Sequence, residues 1–478
     1  MAQGGGGAVH VAAVPLLPSC ASSTSPRRIN AYAFGCAALA SMTTLLMGYN
    51  LAVMSGAELF IREDLGLSDE QVEVLAGSMN VYMLASILAA GWAADALGRR
   101  GALVLANAFL VAGALAMSLG GSYASLMAAR FVTGAGVGLA LVVAPVYNAE
   151  VAPASTRGVL SSLLDMFINV GILLGYVSNY AFAGLPVNLS WRVMYALGVL
   201  PPVLVAAGVL AMPESPRWLT LRGRLADARA VLVRTSDTAA EADLRLEEIK
   251  HAVAPAPQDT GGGGGVWMEL LLRPSAGVRR RLICVVGLQF FQEASGIEAI
   301  VLYSPLVFKH AGMSSNGVVL GATVAVGVVK TLFILVATLL SDRLGRRPLL
   351  LASTAGVAAA MASLAAALRS GSASLCVAAV LAFVVAFSVG LGPLVPAYGA
   401  EVLPLRLRAQ GTGLGTAAGR LTCGVVSMTF ISLADAITMP GCFLLYAGVA
   451  AAACAFVYRR LLETRGRSLE DMDELFAK

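Results

Sequence analysis

Several apolar segments of the chain carry polar side chains at helical spacing, and one in the second half is the richest. Four of its residues follow the pattern i, i+3, i+4, i+7, which places them on one face of a helix: Gln289, Gln292, Glu293 and Gly296. Amides and carboxylates donate and accept hydrogen bonds in pairs, so such a face can hold a polar solute. Polar residues buried in an apolar helix indicate a functional site, with polar contacts between helices as the alternative.

Two other segments offer ionisable groups. Asp165 lies one turn before Asn169, so the two share a helix face, and the alternative role for Asp165 is an ion pair with a nearby arginine. Lys330 stands in the sequence VVKT within another apolar run. It can pair with Glu293 or Glu298, or line a cavity, and the sequence leaves both roles open.

The composition places these segments in a membrane. The 478 residues are 58% hydrophobic and 13% charged, with a mean hydropathy of +0.78. Soluble domains carry about 25% charged residues, so this chain has too much apolar surface for a soluble core. The net charge of +5 comes from short clusters of basic residues between apolar runs, which argues against a nucleic-acid-binding protein. The seven cysteines form no metal-binding motif.

Twelve apolar runs are long enough to cross a bilayer, which takes about 20 residues. We number them spans 1 to 12, and they fall at 30–56, 71–95, 101–119, 123–149, 158–184, 191–212, 281–309, 315–341, 348–368, 373–402, 408–434 and 438–460. Arginines are concentrated on one side of these runs, so the positive-inside rule predicts that both termini are cytosolic.

The chain then divides into five parts, and the predicted fold class is an all-α membrane protein. The parts are a disordered cytosolic tail at 1–28, a first six-helix bundle at 29–212, a cytosolic helical linker with a glycine-rich break at 213–280, a second six-helix bundle at 281–460, and a cytosolic tail at 461–478.

The two halves repeat one another. DALGRR at 95–100 matches DRLGRR at 342–347, and PVYNAEV at 145–151 matches PAYGAEV at 396–402. Their charges predict a network at the cytosolic ends of the spans, which holds the bundles together in one state and releases them in another. The alternative is positive-inside charge with helix capping. The network comprises Asp95, Arg99, Arg100, Glu150, Arg157, Asp342, Arg346, Arg347, Glu401 and Arg406.

These motifs resemble the sugar-transporter family of the major facilitator superfamily, and within it the plant polyol and monosaccharide transporters. The matching stretches extend over nearly the whole chain past residue 28 and include GYNLAVMSGA, RFVTGAGVG, PESPRWL, QFFQEASGIEAIVLYSP and ETRGRSLEDMDELF. The resemblance implies the major facilitator fold, with twelve transmembrane helices in two six-helix bundles and a short cytosolic helical linker domain. It further implies a carrier rather than an enzyme, working as a monomer in a lipid bilayer, in the plasma membrane, on a small polyol or monosaccharide.

The resemblance also places the substrate midway through the membrane, between the two halves. It implies that Gln292 and Glu293 contact substrate, that Glu298 lies where the family has an amide or acid, and that Tyr303 falls where an aromatic gate is expected. Asp165 matches a substrate-binding Gln or Glu of the family.

Two positions depart from the family pattern. Pro396 stands where the family usually has a tryptophan that walls the cavity, and Gly419 stands where the plant relatives have an asparagine. Tyr398 could supply part of the missing aromatic wall. These departures leave the size and affinity of the substrate open.

Asn50, in the first span, is the third departure. The proton-coupled members of the family carry an aspartate there, which pairs with an arginine in span 4, here Arg130. An amide cannot titrate, so the usual proton switch is absent. The alternatives are a polyol or hexose uniporter, a proton symporter that uses Asp165, Glu293 or Glu298, and a transport-poor sugar sensor or degenerate paralog. No cofactor is predicted beyond a proton gradient.

Overall fold

The computed structural model describes residues 30–152, 157–253, 270 and 274–464, without the side chains of 157–162, 252–253, 338–343, 400, 405–406 and 409. The predicted N-terminal tail, the glycine-rich break of the linker and most of the predicted C-terminal tail lie outside the described residues. The described residues are almost entirely helical, which confirms the predicted all-α class.

The helices of the first half follow the predicted spans. They are Ala31–Leu65 for span 1, Asp69–Leu119 for spans 2 and 3, Tyr123–Val151 for span 4, Arg157–Phe182 for span 5, and Val187–Leu197 with Leu200–Ala211 for span 6.

The second half begins with a divided helix. Its helices are Ala276–Ala294 and Ile297–His310 for span 7, Asn316–Leu344 for span 8, Arg346–Ser370 for span 9, Ala373–Val389 with Leu391–Val402 for span 10, Leu405–Ile437 for span 11, and Met439–Arg460 for span 12.

The helix Asp69–Leu119 must count as two spans. Its 51 residues would be about 75 Å long as one straight helix, far more than the roughly 30 Å of a bilayer core. Gly98 breaks it with a φ of 84°, in the left-handed region that favours glycine. The described residues form 11 helical segments long and apolar enough to cross a membrane, and this break divides one of them, so the predicted twelve spans are confirmed.

Spans 1 and 5 pack closely because glycines face each other's backbones. A Cβ atom at Gly48 would lie 2.0 Å from the carbonyl oxygen of Ile168, and one at Gly171 would lie 2.0 Å from the carbonyl oxygen of Leu45. Small residues permit such an approach in lipid, where helices gain little from apolar burial. The two glycines therefore allow the backbones of spans 1 and 5 to approach each other closely.

Three short helices lie between the bundles, as the periodicity of the linker predicts: Pro216–Leu221, Leu225–Thr235 and Ala239–Val253. They pack around an apolar cluster that includes Leu219, Leu232 and Leu246. Arg245 donates hydrogen bonds to the carbonyl oxygens of Val151 and Ala152, at 3.2 and 3.1 Å, and so attaches the linker to the end of span 4.

Candidate functional site

A cavity of about 150 Å³ lies between the two halves and is lined by spans 1, 5, 7, 8, 10 and 11. Met47 and Leu51 of span 1 and Ile172 of span 5 give it an apolar wall. Its polar lining consists of Asp165, Asn169, Gln292, Glu293, Glu298, Lys330 and Arg420. The structure thus brings together six of the nine residues that sequence reasoning proposed for substrate binding.

A break in span 7 turns two carboxylates into this cavity. Gly296, with a φ of 90°, separates the two helices, and a Cβ atom there would meet the ring of Tyr446 at 2.9 Å. Glu293 lies at the end of the first helix, and Glu298 lies in the first turn of the second, where the helix dipole favours negative charge. Both side chains are buried, and one oxygen of each has no hydrogen-bond partner among the described residues.

Two cations face these carboxylates. Lys330 of span 8 and Arg420 of span 11 both line the cavity and lie within electrostatic range of Glu293 and Glu298. Sequence reasoning missed Arg420, although a charged residue inside the apolar run AAGRLTCG was a readable signal. With Asp165, the cavity holds three carboxylates and two cations, so one negative charge is in excess when all five groups are ionised.

Cys423 lies next to the same carboxylates. Its sulfur and one oxygen from each of Glu293 and Glu298 lie within 4.8 Å of one another, a set of atoms that could ligate a metal. Lys330 and Arg420 already supply positive charge there, which opposes the binding of a further cation. The arrangement therefore suits a neutral, hydrogen-bonding solute better than a metal ion.

The amides of the cavity have distinct roles. Asn169 donates to the carbonyl oxygen of Asp165 at 2.7 Å, and its own side-chain oxygen has no partner among the described residues. Gln292 donates to the carbonyl oxygens of Leu391 and Gly392, at 2.8 and 3.1 Å, where span 10 is interrupted. Gln292 therefore fixes the breaks of spans 7 and 10 against each other at the edge of the cavity.

Three predicted binding residues lie outside the cavity lining in this conformation. Tyr303 donates to the carbonyl oxygen of Ser427 at 2.6 Å, Tyr398 donates to the carbonyl oxygen of Leu462 at 3.2 Å, and both rings are fully buried. Gln289 faces span 11, and its side-chain oxygen would lie 2.9 Å from a Cβ atom at position 419. The predicted roles of these three residues in substrate binding stay predictions.

Gln289 explains one departure from the family pattern. Because its side-chain oxygen comes so close to position 419, an asparagine in place of Gly419 would require Gln289 to move. Pro396 lies within the second helix of span 10 and is exposed, so it forms no wall of the cavity in this conformation.

Asn50 and Arg130 are both buried but bond to different partners. Asn50 donates to the carbonyl oxygen of Leu46 on its own helix at 2.9 Å. Arg130 donates to the carbonyl oxygen of Leu75 at 3.2 Å and contacts the sulfur of Met79 at 3.7 Å, so it is held by span 2. Among the hydrogen bonds of the described residues, none joins Asn50 to Arg130, the pairing that a carboxylate would favour.

The repeated motifs form matching charge clusters at one end of the spans, which we call the basic end and define by Arg99, Arg100, Arg346 and Arg347. Arg99 bonds to Glu150 at 3.0 Å and to Asp95 at 2.9 Å, and Arg346 bonds to Glu401 at 3.0 Å. Arg100 donates to the carbonyl oxygen of Met212 at 3.2 Å, and Arg347 donates to that of Tyr458 at 2.8 Å. The side chains of Arg157, Asp342 and Arg406 lie outside the described part of the chain.

Two glutamates that sequence reasoning left out complete these clusters. Glu214 accepts hydrogen bonds from the backbone N–H groups of Arg99 and Arg100, at 2.9 and 3.1 Å. Glu463 accepts from those of Arg346 and Arg347, at 2.9 and 3.1 Å. The next residues also correspond, because Ser215 donates to Glu150 at 2.5 Å and Thr464 donates to Glu401 at 2.6 Å. The pairs Glu214-Ser215 and Glu463-Thr464 therefore extend the internal repeat, and each of these clusters lies within its own half.

The opposite end of the spans, which we call the closed end, is joined across the two halves. Glu73 of span 2 accepts hydrogen bonds from the backbone N–H groups of Ile431 and Ser432 on span 11, at 2.6 and 3.3 Å, and from the Ser432 hydroxyl at 2.5 Å. Tyr176 of span 5 donates to the carbonyl oxygen of Val301 on span 7 at 2.8 Å. These bonds join the two halves at that end.

Comparison with known proteins gives consistent matches. The family described as Sugar (and other) transporter matches residues 36–476. Polyol transporter 5 of Arabidopsis thaliana is 50% identical over 96% of this chain and 89% of that protein, and the glucose transporter GlcP of Staphylococcus epidermidis is 33% identical over 91% of this chain and 95% of that protein.

Solved structures agree with this result. The xylose transporter XylE from E. coli, in a partially occluded inward-open conformation, has a TM-score of 0.79 and 25% identity over 92% of this chain and 100% of that chain. The proton:xylose symporter XylE bound to 6-bromo-6-deoxy-D-glucose has a TM-score of 0.77 and 27% identity over 94% of this chain and 100% of that chain.

Proposed function

Because the chain belongs to the sugar transporter family of the major facilitator superfamily, we propose that it carries polyols or monosaccharides across the membrane by alternating access. The observation that carries this proposal is the cavity between the two halves. Its carboxylates, amides and cations can donate to and accept from several hydroxyl groups at once, while its apolar wall suits the C–H faces of a sugar or polyol.

The closed end and the basic end support alternating access. The bonds of Glu73 and Tyr176 join the halves at the closed end, whereas the arginine clusters of the basic end bond within their own halves. The positive-inside rule supports a cytosolic basic end with both termini in the cytosol, and the bonds at the closed end then support an inward-facing conformation. We assign the carrier to the plasma membrane as a monomer, following the family resemblance.

The charge of the cavity favours proton coupling. Three carboxylates against two cations leave one negative charge in excess, and two of the carboxylates, Glu293 and Glu298, are buried, where an uncompensated charge is costly. Protonation of Asp165, Glu293 or Glu298 would remove the excess when a neutral substrate binds. The second candidate is a facilitative uniporter, and the amide at Asn50 favours it because no carboxylate faces Arg130 from that position.

Uptake measurements separate these functions. The full-length protein is expressed in a cell that lacks hexose transport, and uptake of labelled sorbitol, inositol and glucose is followed at acid and neutral pH, with and without a protonophore. We expect accumulation against a gradient that the protonophore abolishes. Equal uptake at all pH values, without accumulation, would establish uniport, and no uptake of any of the three would favour a sensor.

Variants of the cavity test its assignment. Asp165→Asn should weaken substrate binding by about tenfold, since it removes a charged acceptor from a site that hydroxyl groups would fill. Asp237→Asn, at an exposed position of the linker, is the matched control and should leave binding unchanged. Equal binding by both variants would refute the role of the cavity.

A further inference from the structure

A groove on the membrane-facing surface of the second half lies apart from the central cavity. It lies between spans 9 and 12 and has a volume of about 630 Å³. Pockets that hold small molecules have volumes of about 300–1,000 Å³, so the groove is large enough for a ligand. Four alanines supply most of its wall, and three of them are exposed, so the groove is open toward the lipid: Ala355, Ala358, Ala451 and Ala455.

The groove begins at the basic end and extends into the membrane. Arg459 lies in the last turn of span 12, and Ala451 lies eight residues earlier, about 12 Å along the helix axis. Arg347 of the basic end donates a hydrogen bond to the carbonyl oxygen of Tyr458 at 2.8 Å, which sets the level of this turn. Half of a bilayer core is about 15 Å thick. The groove therefore extends from the level of the lipid headgroups into the hydrocarbon of one leaflet.

The end of the groove at headgroup level is positively charged. Arg459 lines it and is exposed, and its side chain forms no ion pair or hydrogen bond in the part of the chain that the structure describes. The guanidinium of Arg347 lies 5.8 Å from the centre of the Tyr458 ring, and its Nε has no hydrogen-bond partner among the described residues. None of the described residues that line the groove carries a carboxylate. This end therefore offers free donors to an anion.

A phospholipid matches both parts of the groove. Guanidinium groups form strong, charge-assisted hydrogen bonds to phosphate, so Arg459 can hold the headgroup. Small side chains allow close packing in lipid, so an acyl chain can lie along the alanine wall. Tyr458 is 67% exposed, and tyrosine is enriched at this level of membrane proteins. A zwitterionic headgroup would add a cation beside the arginines, so the charge favours a lipid with a net negative headgroup.

We propose that the groove between spans 9 and 12 binds one anionic phospholipid, with its phosphate at Arg459 and an acyl chain along the alanines. Basic pockets between transmembrane helices bind anionic headgroups in the cytosolic leaflet, where such lipids are abundant. The proposed orientation of the chain places the basic end on that side. The lipid site is separate from the central cavity, and lipid binding does not depend on the proposed transport.

Native mass spectrometry of the full-length protein in a neutral detergent tests the charge at this site. Phosphatidylserine and phosphatidylcholine are added in turn, and the first bound lipid is counted. We expect the wild type to bind phosphatidylserine more tightly, and Arg459→Gln to weaken that binding by about tenfold, because a hydrogen bond to a charged group is lost. Arg369→Gln, at the opposite end of span 9, is exposed and is the matched control. Equal binding of the two lipids by the wild type would refute the proposal.

Cys454 reports occupancy of the groove itself. It lines the groove and is half-buried, whereas the other cysteines of the described residues are buried. Its modification by N-ethylmaleimide is measured by peptide mass spectrometry in detergent with either lipid added. Phosphatidylserine should slow the modification several-fold in the wild type and in Arg369→Gln, but not in Arg459→Gln. Protection that both lipids give equally, or that occurs without lipid, would overturn the inference.

A third variant fills the groove without changing its charge. Ala455→Leu places a larger side chain in the wall, so it should weaken phosphatidylserine binding several-fold and remove the protection of Cys454 by this lipid. Ala452→Leu is the matched control, because Ala452 is exposed on the same helix but does not line the groove. Wild-type lipid binding by Ala455→Leu would contradict the position assigned to the acyl chain.

Discussion

Glu73→Gln should open the closed end by a predictable amount. The carboxylate of Glu73 accepts hydrogen bonds from two backbone N–H groups and one hydroxyl of span 11, at Ile431 and Ser432, and it is 2% exposed. Hydrogen bonds to a charged group contribute about 1.5–3 kcal/mol each, and glutamine keeps one acceptor oxygen without the charge. We therefore expect a loss of about 2 kcal/mol from the closed state, which is roughly 30-fold in the equilibrium between open and closed states.

Hydrogen–deuterium exchange measures this loss at the bonded groups themselves. The backbone amides of Ile431 and Ser432 should exchange faster in Glu73→Gln than in the wild type, because the Glu73 carboxylate is an acceptor that they hold in addition to the hydrogen bonds of their own helix. Glu70→Gln, at an exposed position one turn earlier, is the control and should leave exchange unchanged. Wild-type exchange in Glu73→Gln would refute the role of this carboxylate in joining the two halves.

Three further predictions test packing, coupling and the linker. Gly48→Val should lower the melting temperature in detergent, because its new Cβ atom would lie 2.0 Å from a backbone carbonyl oxygen of span 5. Such overpacking costs about 1–3 kcal/mol. Gly35→Ala is the control and should leave the melting temperature unchanged, because a Cβ atom there meets nothing within 4 Å. Asn50→Asp should make uptake depend more steeply on pH, and an unchanged profile would contradict the assignment of that position to coupling. In the linker, the hydrogen bond from Arg229 lowers the pKa of Asp243, so the pair is intact above the usual aspartate pKa of about 4 and breaks as pH falls through the lower folded-state value. Asp243→Asn should therefore leave the uptake profile unchanged between about pH 5 and 8, and a changed profile would show that the linker takes part in proton sensing.

The sequence predicted the membrane spans because each must supply about 20 apolar residues on its own. It also predicted the duplication, since the similarity of DALGRR and DRLGRR can be recognised from the sequence alone. The sequence also identified three residues of the cavity lining, because a polar residue inside an apolar run is easily recognised: Asp165, Gln292 and Glu293.

The sequence did not predict hydrogen bonds between residues that are distant along the chain. Glu214 and Glu463 bond to amides more than one hundred residues away, so local periodicity gives no sign of the pairing. Their positions in PESPRWL and ETRGRS, which follow the last span of each half, were the available signal.

The chain by itself determined which residues lie in the membrane and which of them are polar. Only the tertiary structure decided which polar residues meet. It placed Arg420 beside Glu293, and it turned Tyr303 away from the cavity toward span 11. The physical reason is that burial in an apolar segment follows from a residue's own neighbours, whereas the partner of a buried charge depends on how separate helices align in depth and rotation.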